Sequence, residues 1–303
     1  MTRLSSHLSL QSPWQEIAAQ ISSLDTHFVL EKISAIGGGC INETYHIQGN
    51  DQHYFVKLNK ASSLPMFEAE AMGLKEIQNS HALRVPDPKC WGHNDFHAWL
   101  VLEYLELTDT AKQHAEALGS GLAGMHRTFS AQFGWIRDNT IGSTLQKNDR
   151  SSDWIHFWRY NRLGHQLQLA KTNGYQGKLQ TQGERLMADL ELFFTGSRIN
   201  ASLLHGDLWS GNYSFNSAGQ PVLFDPAVYY GDREADLAMT ELFGGFPAQF
   251  YASYQDAYPL DAGYRTRKTL YNLYHVLNHL NLFGGGYLRQ AEQILDRLLA
   301  EIK

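Results

Sequence analysis

The sequence predicts an α+β chain of two lobes, a small antiparallel-sheet lobe with one helix over residues 1–105 and a large, mainly helical lobe over 106–303. Three observations predict this. Apolar and polar residues alternate in short runs from about 28 to 104, the signature of half-buried strands. After about 106 the apolar residues recur at helical spacing. Two short strand-like runs, near 213–215 and 222–224, interrupt the helices of the second half next to the polar residues of 205–212 and Asp225. Strand runs followed by helix runs in separate blocks argue for α+β rather than alternating α/β architecture.

The elements follow in order. Residues 13–24 read as an opening helix, with Trp14, Ile17, Ala18 and Ile21 at helical spacing. Residues 28–36 are strand-like, Gly37-Gly38-Gly39 is a break, and 41–47 alternates again. Gly49-Asn50-Asp51 is a turn before a third strand, Tyr54-Phe55-Val56-Lys57-Leu58. Pro65 starts a helix whose apolar stripe is Phe67, Ala71, Leu74 and Ile77. Pro86 and Pro88 separate it from a hairpin ending in Trp99-Leu100-Val101-Leu102-Glu103-Tyr104. Helices are expected at 111–129, 153–173, 176–195, 235–243, 247–257, 264–283 and 287–302. A sheet-rich lobe joined to a helical lobe is expected to form a cleft at the join, where ligand sites prefer to lie.

Composition narrows the function. The chain has 303 residues, 43% hydrophobic and 18% charged, which suits a folded protein with a full core. Net charge is -6 with no long basic run, so nucleic-acid binding has no electrostatic footprint. The mild acidity suits a cationic small substrate. The two cysteines, Cys40 and Cys90, form neither a metal-ligand nor a disulfide-framework pattern, and the cytoplasm is the expected compartment. The N-terminal residues carry no apolar signal core, and no stretch is long and apolar enough to span a bilayer.

The most informative stretch is Leu204-His205-Gly206-Asp207-Leu208-Trp209-Ser210-Gly211-Asn212, followed by Val222-Leu223-Phe224-Asp225-Pro226. Phosphoryl transfer needs one carboxylate to accept the proton of the attacking hydroxyl. It also needs an amide and a second carboxylate to hold a metal against the phosphates. His205-Gly206-Asp207 stands where protein kinases carry H-R-D, and Asp207 to Asn212 keeps their D-x-x-x-x-N spacing. That spacing lets both side chains project from a single tight loop. Asp225 follows a short buried strand and can project at its end.

A nucleotide half accompanies it. Gly37, Gly38 and Gly39 lie in a strand–turn–strand hairpin, where glycine lets the backbone approach a phosphate. They match neither G-x-G-x-x-G nor a Walker A sequence, and a plain hairpin turn also fits. Lys57 sits in an otherwise apolar strand, where a charge needs a partner. Kinases place a lysine there on the α/β-phosphates and pair it with a helix glutamate. Glu70, at the edge of the buried stripe, is the first candidate partner and Glu68 the second. Leu102-Glu103-Tyr104-Leu105 resembles a hinge, with the Glu103 carbonyl and the Leu105 N–H on either side of Tyr104 available to an adenine edge.

Longer words identify a family. Leu204 to Asn212 carries a tryptophan that other branches of the superfamily usually lack. Asp225 to Met239 reads Asp-Pro-Ala-Val-Tyr-Tyr-Gly-Asp-Arg-Glu-Ala-Asp-Leu-Ala-Met. Phe133-Gly134-Trp135, Asp138-Asn139, Ile141-Gly142, Gln146 and Asn148 precede Trp154, Phe157-Trp158 and Arg162-Leu163, and Phe67 to Leu74 also fits. In these words the chain resembles the fructosamine kinase (ketosamine-3-kinase) family, a branch of the protein-kinase-like fold, over nearly its whole length. The resemblance implies a bilobal kinase-like fold and ATP-dependent phosphorylation of the 3-hydroxyl of a ketosamine, free or on a glycated protein lysine. In the family the 3-phosphate is unstable and releases the amine, so the activity reads as deglycation. By position it implies Asp207 as proton acceptor, Asn212 and Asp225 as Mg²⁺ ligands, and Lys57 and Glu70 as the pair that orients the phosphates. Asp225-Pro226 replaces D-F-G and no segment ends in A-P-E, so a phosphorylated activation loop is not expected.

Several residues have two readings. Trp209 offers a flat face to a sugar ring, or is a core aromatic. Asp232 could attract the protonated amine of the substrate, while Asp236 reads as a helix cap and Arg233 as a partner of Glu234. Trp154, Trp158 and Arg162 share one helical face and read as core. His126 and His165 lack a second ligand at matching spacing. Cys40, directly after the glycines, would be activated by a phosphate-cradling loop or would simply fill a turn. The competing functions are an aminoglycoside- or choline-type phosphotransferase and a catalytically dead nucleotide-binding module. The long family words oppose the first; the presence of Asp207, Asn212, Asp225 and Lys57 opposes the second.

Overall fold

The structure, a computed structural model, describes residues 12–37, 41–108 and 111–302. The chain divides into two units, one running to Lys75 and then over Pro86–Glu106, the other made of Glu76–Val85 and the chain from Leu107 onward.

The first unit opens with α1 (Trp14–Ile21), followed by β1 (Lys32–Ile36), β2 (Glu43–Gly49), β3 (Gln52–Lys60), α2 (Leu64–Asn79), β4 (Pro88–His93) and β5 (His97–Glu103). The five strands form one antiparallel sheet in the order β1-β2-β3-β5-β4. Asn50 and Asp51 both take positive φ, 48° and 59°, in the two-residue turn that closes β2 onto β3. Tyr54, Val56 and Leu58 alternate onto one face and pack with Ile47, Cys90, Trp99 and Val101 against Ile17 and Ile21 of α1. Gln20 clamps that helix to the sheet, accepting from Trp99 Nε1 at 2.7 Å and donating to the Trp91 carbonyl at 2.8 Å. The period-2 rule then forces Lys57 onto the opposite face. The first strand starts at Lys32, later than the alternation from residue 28 suggests, because His27 takes positive φ and Phe28 enters the core without pairing.

Cys90 is buried in this core, and burial pushes its thiol up to about 12. In the folded protein Cys90 should resist alkylation at neutral pH, read by peptide mapping. Labelling at the rate seen in denaturant would contradict this.

In the second unit β6 (Leu107–Thr108) precedes α3 (Ala111–Met125) and the hairpin β7 (Asn139–Ile141) and β8 (Thr144–Gln146). Next come α4 (Trp154–Phe157), a π-helical segment Trp158–Gly164, α5 (His165–Thr172) and α6 (Lys178–Ala188). β9 (Ser202–Leu204), β10 (Tyr213–Asn216), β11 (Pro221–Leu223) and β12 (Tyr229–Gly231) follow, then α7 (Glu234–Leu242), α8 (Ala248–Ala257), α9 (Tyr264–Phe283) and α10 (Leu288–Glu301). The helix expected at 153–173 is therefore interrupted by the π segment. That expected at 176–195 stops at Ala188 and resumes as a 3₁₀ turn over Leu190–Phe194. The short pairs β7–β8 and β9–β12 escaped the sequence reading, since three-residue strands carry too few residues to show a period. α7 is buried along nearly its whole length and packs on α9, so it forms the centre of this unit.

Trp154, Trp158 and Arg162 are core residues. The Arg162 guanidinium lies 4.0 Å from the centroid of Tyr229 and 4.7 Å from that of Phe157.

Candidate active site

The polar cluster is built in the second unit by two hairpin-like returns onto α7. β9 ends at Leu204, and the chain turns there because the N–H groups of His205 and Gly206 donate to the two carboxylate oxygens of Asp236, at 2.7 and 2.8 Å. His126 Nε2 lies 3.1 Å from the same carboxylate, and His126 Nδ1 lies 2.8 Å from the Tyr254 hydroxyl. Burial pushes the Asp236 carboxyl up, but donation from His126 and the loop outweighs it and holds the group below the usual range. Burial keeps His126 neutral. Asp236 therefore anchors the loop from inside α7 and does not cap that helix. Asp232 takes the cap-like role: its Oδ1 accepts from the Glu234 N–H at 3.1 Å and its carbonyl from the Ala235 N–H at 2.9 Å.

Gly206 is required at its position. It takes φ of 82°, and a Cβ there would lie 2.0 Å from the Ala227 carbonyl oxygen. His205, neutral by burial, donates from Nε2 to the Phe224 carbonyl at 3.0 Å, which leaves Nδ1 to accept from the Asp207 N–H at 3.3 Å. The loop then closes on itself. Asn212 N–H bonds the Trp209 carbonyl at 3.0 Å, and Asn212 Nδ2 reaches the Asp207 carbonyl at 2.8 Å and its carboxylate at 3.3 Å. The β10–β11 register continues the pairing to a bond from Phe224 N–H to the Asn212 carbonyl, 3.1 Å, which brings Asp225 beside Asn212.

Asp225 adopts a left-handed backbone, φ 57°, which costs a non-glycine residue energy and must be held by its surroundings. Asp207 is partly buried, and its carboxyl is pushed up to about 7, first by loss of water and next by the charge of Asp225, against the opposing bond from Asn212. Two neighbouring carboxylates under like-charge strain, with an amide oxygen beside them, are the donor set a hard divalent cation relieves. Among the described residues no group of three His, Cys, Asp or Glu forms a closed metal cage.

Trp209 is 39% exposed, so it is not a core aromatic. Its ring covers Gly211, where a Cβ would meet ring carbons at 2.3 Å. Asp232, expected as a possible attractor for a substrate amine, is buried and already bonded: Tyr271 donates to its Oδ2 at 2.5 Å, and Glu234 N–H occupies Oδ1. That expectation is corrected. Arg233 does not pair with Glu234 either. It donates to the Tyr254 hydroxyl at 2.9 Å and the Tyr258 carbonyl at 2.8 Å, while Arg267 holds Glu234 through two bonds of 2.7 and 2.8 Å.

In the first unit Lys57 is 4% exposed and its Nζ lies 2.6 Å from Glu70 Oε1, the first candidate partner. Cross-strand register places Thr44 and Leu100 on either side of Lys57. Gly37 is exposed with open space around it; Gly38, Gly39 and Cys40 lie outside the described residues. Asn59 Nδ2 ties the start of the next strand to β3 through the Ile41 carbonyl at 3.0 Å and Asn42 Oδ1 at 2.7 Å. β5 ends at Glu103, whose N–H donates to the Asp87 carbonyl at 2.9 Å. Tyr104 stacks on His46 with centroids 3.8 Å apart, and Leu105 is half-buried, directly before the first unit ends at Glu106.

Known proteins resemble the chain along its length. A family model described as fructosamine kinase matches residues 13–301. A probable ketoamine kinase of Synechocystis sp. is 46% identical over 290 residues, 95% of this chain and 97% of that protein. A chloroplastic protein-ribulosamine 3-kinase of Arabidopsis thaliana is 42% identical over 277 residues, 90% of this chain and 84% of that protein. Among solved structures, a putative fructosamine-3-kinase from Haemophilus somnus superposes with a TM-score of 0.87 at 28% identity, covering 94% of this chain and 97% of that one. An aminoglycoside phosphotransferase shares the fold, with a TM-score of 0.61 at 13% identity over 92% of this chain and 97% of that one.

Proposed function

The chain belongs to the fructosamine kinase family and is an ATP-dependent ketosamine 3-kinase, and we propose that Asp207 is the base of its transfer step. Asp207 accepts the proton of the sugar 3-hydroxyl as that oxygen bonds to the γ-phosphorus of ATP. The bond from that phosphorus to the bridging oxygen breaks, and ADP leaves. The observation that carries this assignment is the geometry of the loop, in which Asn212 Nδ2 bonds the Asp207 carbonyl at 2.8 Å and its carboxylate at 3.3 Å and so orients the carboxyl. Burial raises that carboxyl, the direction a general base near neutral pH needs. Its alternatives, an aminoglycoside- or choline-type enzyme and an inactive nucleotide-binding module, are not favoured by the relatives.

Lys57, fixed by Glu70, is assigned to the α/β-phosphates. By sequence position alone, we propose Gly37, Gly38 and Gly39 as the phosphate-facing turn and the backbone of Glu103 to Leu105 as the adenine contact. Asn212 and Asp225 are assigned to Mg²⁺, which supplies charge neutralisation for the phosphates when bound. Asn212 donates from its amide nitrogen to Asp207, which leaves its amide oxygen to a cation. EDTA should abolish activity, and Mg²⁺ or Mn²⁺ should restore it. Turnover under verified chelation would refute the assignment. Trp209, exposed beside Asp207, is assigned to the sugar ring.

The substrate is a ketosamine, either a small glycated amine or a glycated protein lysine. The deciding assay measures ATP consumption with ribulosyl-lysine, fructosyl-lysine, kanamycin and choline, with Asp207→Asn as the blank. Turnover of kanamycin or choline above both ketosamines would overturn the reading. Among the described residues no helix is long and apolar enough to cross a membrane. We propose a cytoplasmic location from the two cysteines, which form no disulfide-framework pattern.

A further inference from the structure

The 225–228 segment is gripped from the side by a cluster that the transfer chemistry does not use. Asn139, Gln146, Asn148 and Arg162 are at most 6% exposed, and none of the four is an acid. Burying three amides and a guanidinium is costly unless their hydrogen-bonding groups are engaged. Here all but Arg162 Nε are engaged, and one chain of donated bonds leads to that segment. Gln146 Nε2 donates to the Ala227 carbonyl at 3.0 Å and to Asn139 Oδ1 at 2.9 Å, while its Oε1 accepts from the Tyr274 hydroxyl at 2.7 Å. Asn139 Nδ2 donates to the Val228 carbonyl at 2.8 Å. Asn148 Nδ2 donates to Asn139 Oδ1 at 3.0 Å, and Arg162 Nη2 donates to Asn148 Oδ1 at 2.8 Å. The hairpin register sets Asn139 opposite Gln146, so both amides leave one short ribbon together.

The target of this grip is the stretch that must keep Asp225 left-handed. Pro226 has no N–H and cannot be tied through a donor of its own. Ala227 is tied on both sides: its N–H donates to the His205 carbonyl at 2.8 Å, and its carbonyl takes Gln146. Ala227 thus links the catalytic loop to the amide cluster, two residues after the strained Asp225.

We propose that Asn139, Gln146 and Asn148, backed by Arg162, are positioning residues that lock the Ala227–Val228 backbone and so hold Asp225 in its metal-binding conformation. The lock is built into the core, in a chain that shows no activation segment to be ordered by phosphorylation. The proposal rests on the assignment of Asn212 and Asp225 to the metal.

The test measures Mn²⁺ affinity by electron paramagnetic resonance, on the full chain with ADP present, beside thermal melting. Gln146→Met removes both donated bonds at similar volume and should weaken Mn²⁺ binding about 10–100-fold, the range for partners that orient metal ligands. Excess Mg²⁺ should recover much of the lost turnover. Asn139→Asp keeps the acceptor for Gln146 and Asn148 and replaces the donor to Val228 by an oxygen that repels its carbonyl, so it should weaken binding in the same direction even if Gln146→Met folds poorly. Gln180→Met is the control: Gln180 is half-buried and its amide donates to the Leu167 and Tyr175 carbonyls, away from this cluster. It should lower the melting temperature without moving Mn²⁺ affinity. Unchanged affinity in Gln146→Met and Asn139→Asp, or an equal loss in Gln180→Met, overturns the proposal. Asp225→Asn separates the two layers: if it leaves Mn²⁺ affinity intact, the metal assignment itself is wrong.

Discussion

Asp207→Asn should lower kcat by about two to four orders of magnitude, the range of general-base catalysis, with ATP binding retained. The amide keeps the volume of the carboxyl and can still meet Asn212, but it cannot take the proton. Turnover of a ketosamine at the wild-type rate would remove Asp207 from the mechanism. The same substitution should raise stability in metal-free buffer. Asp207 has a folded pKa of about 7, above the ~4 of an unfolded aspartate. Between those values the folded state holds a proton that the unfolded chain has released, so wild-type stability falls as pH rises through this window. The variant has no such loss. Its melting temperature should exceed that of the wild type by a few degrees at pH 8, and the difference should close near pH 4. A constant difference across that range would show that neither burial nor Asp225 raises the Asp207 carboxyl.

Asp236→Ala should destabilise the second unit by about 3–5 kcal/mol and abolish turnover, because removing a buried charge strands its partners. The N–H groups of His205 and Gly206 and the His126 ring all lose their acceptor inside the core. Asp236 has a depressed folded pKa, so its stabilisation is present above the ordinary carboxylate range and is lost as pH falls through the lower folded value. The gap between wild type and variant in urea denaturation should therefore be flat near neutrality and shrink in acid. An unchanged denaturation midpoint at pH 7 would show that the loop does not depend on this anchor.

Much of this molecule was legible because its key signals are local. Lys57 lies in a strand whose neighbours alternate into a core, so its projection away from that core follows from the pleat alone. Asp207 and Asn212 share one turn, and Asp225 ends the strand that pairs back onto it. The long helix over Tyr264–Phe283 has enough turns for its period to show. The three-residue strands β7, β8, β9 and β12 have not, and they were missed.

Partner choice was not legible. Asp232, Glu234 and Asp236 are equivalent as sequence, three acids at the start of one helix. Packing sends Asp232 to Tyr271, Glu234 to Arg267 and Asp236 to the catalytic loop, over separations of 39, 33 and 31 residues. No local period encodes such distances. Trp209 likewise looked the same as sequence whether exposed or buried, and only the crowding of its ring over Gly211 placed it at the surface. The sequence by itself determined the α+β class, the family and the residues proposed here for the chemistry, since spacing within a turn or strand dictates where neighbouring side chains project. Tertiary structure alone decided which acid anchors the loop and which glutamate holds Lys57. It also decided which buried amides grip the segment after Asp225, because desolvated polar groups bond to whatever the fold brings within reach.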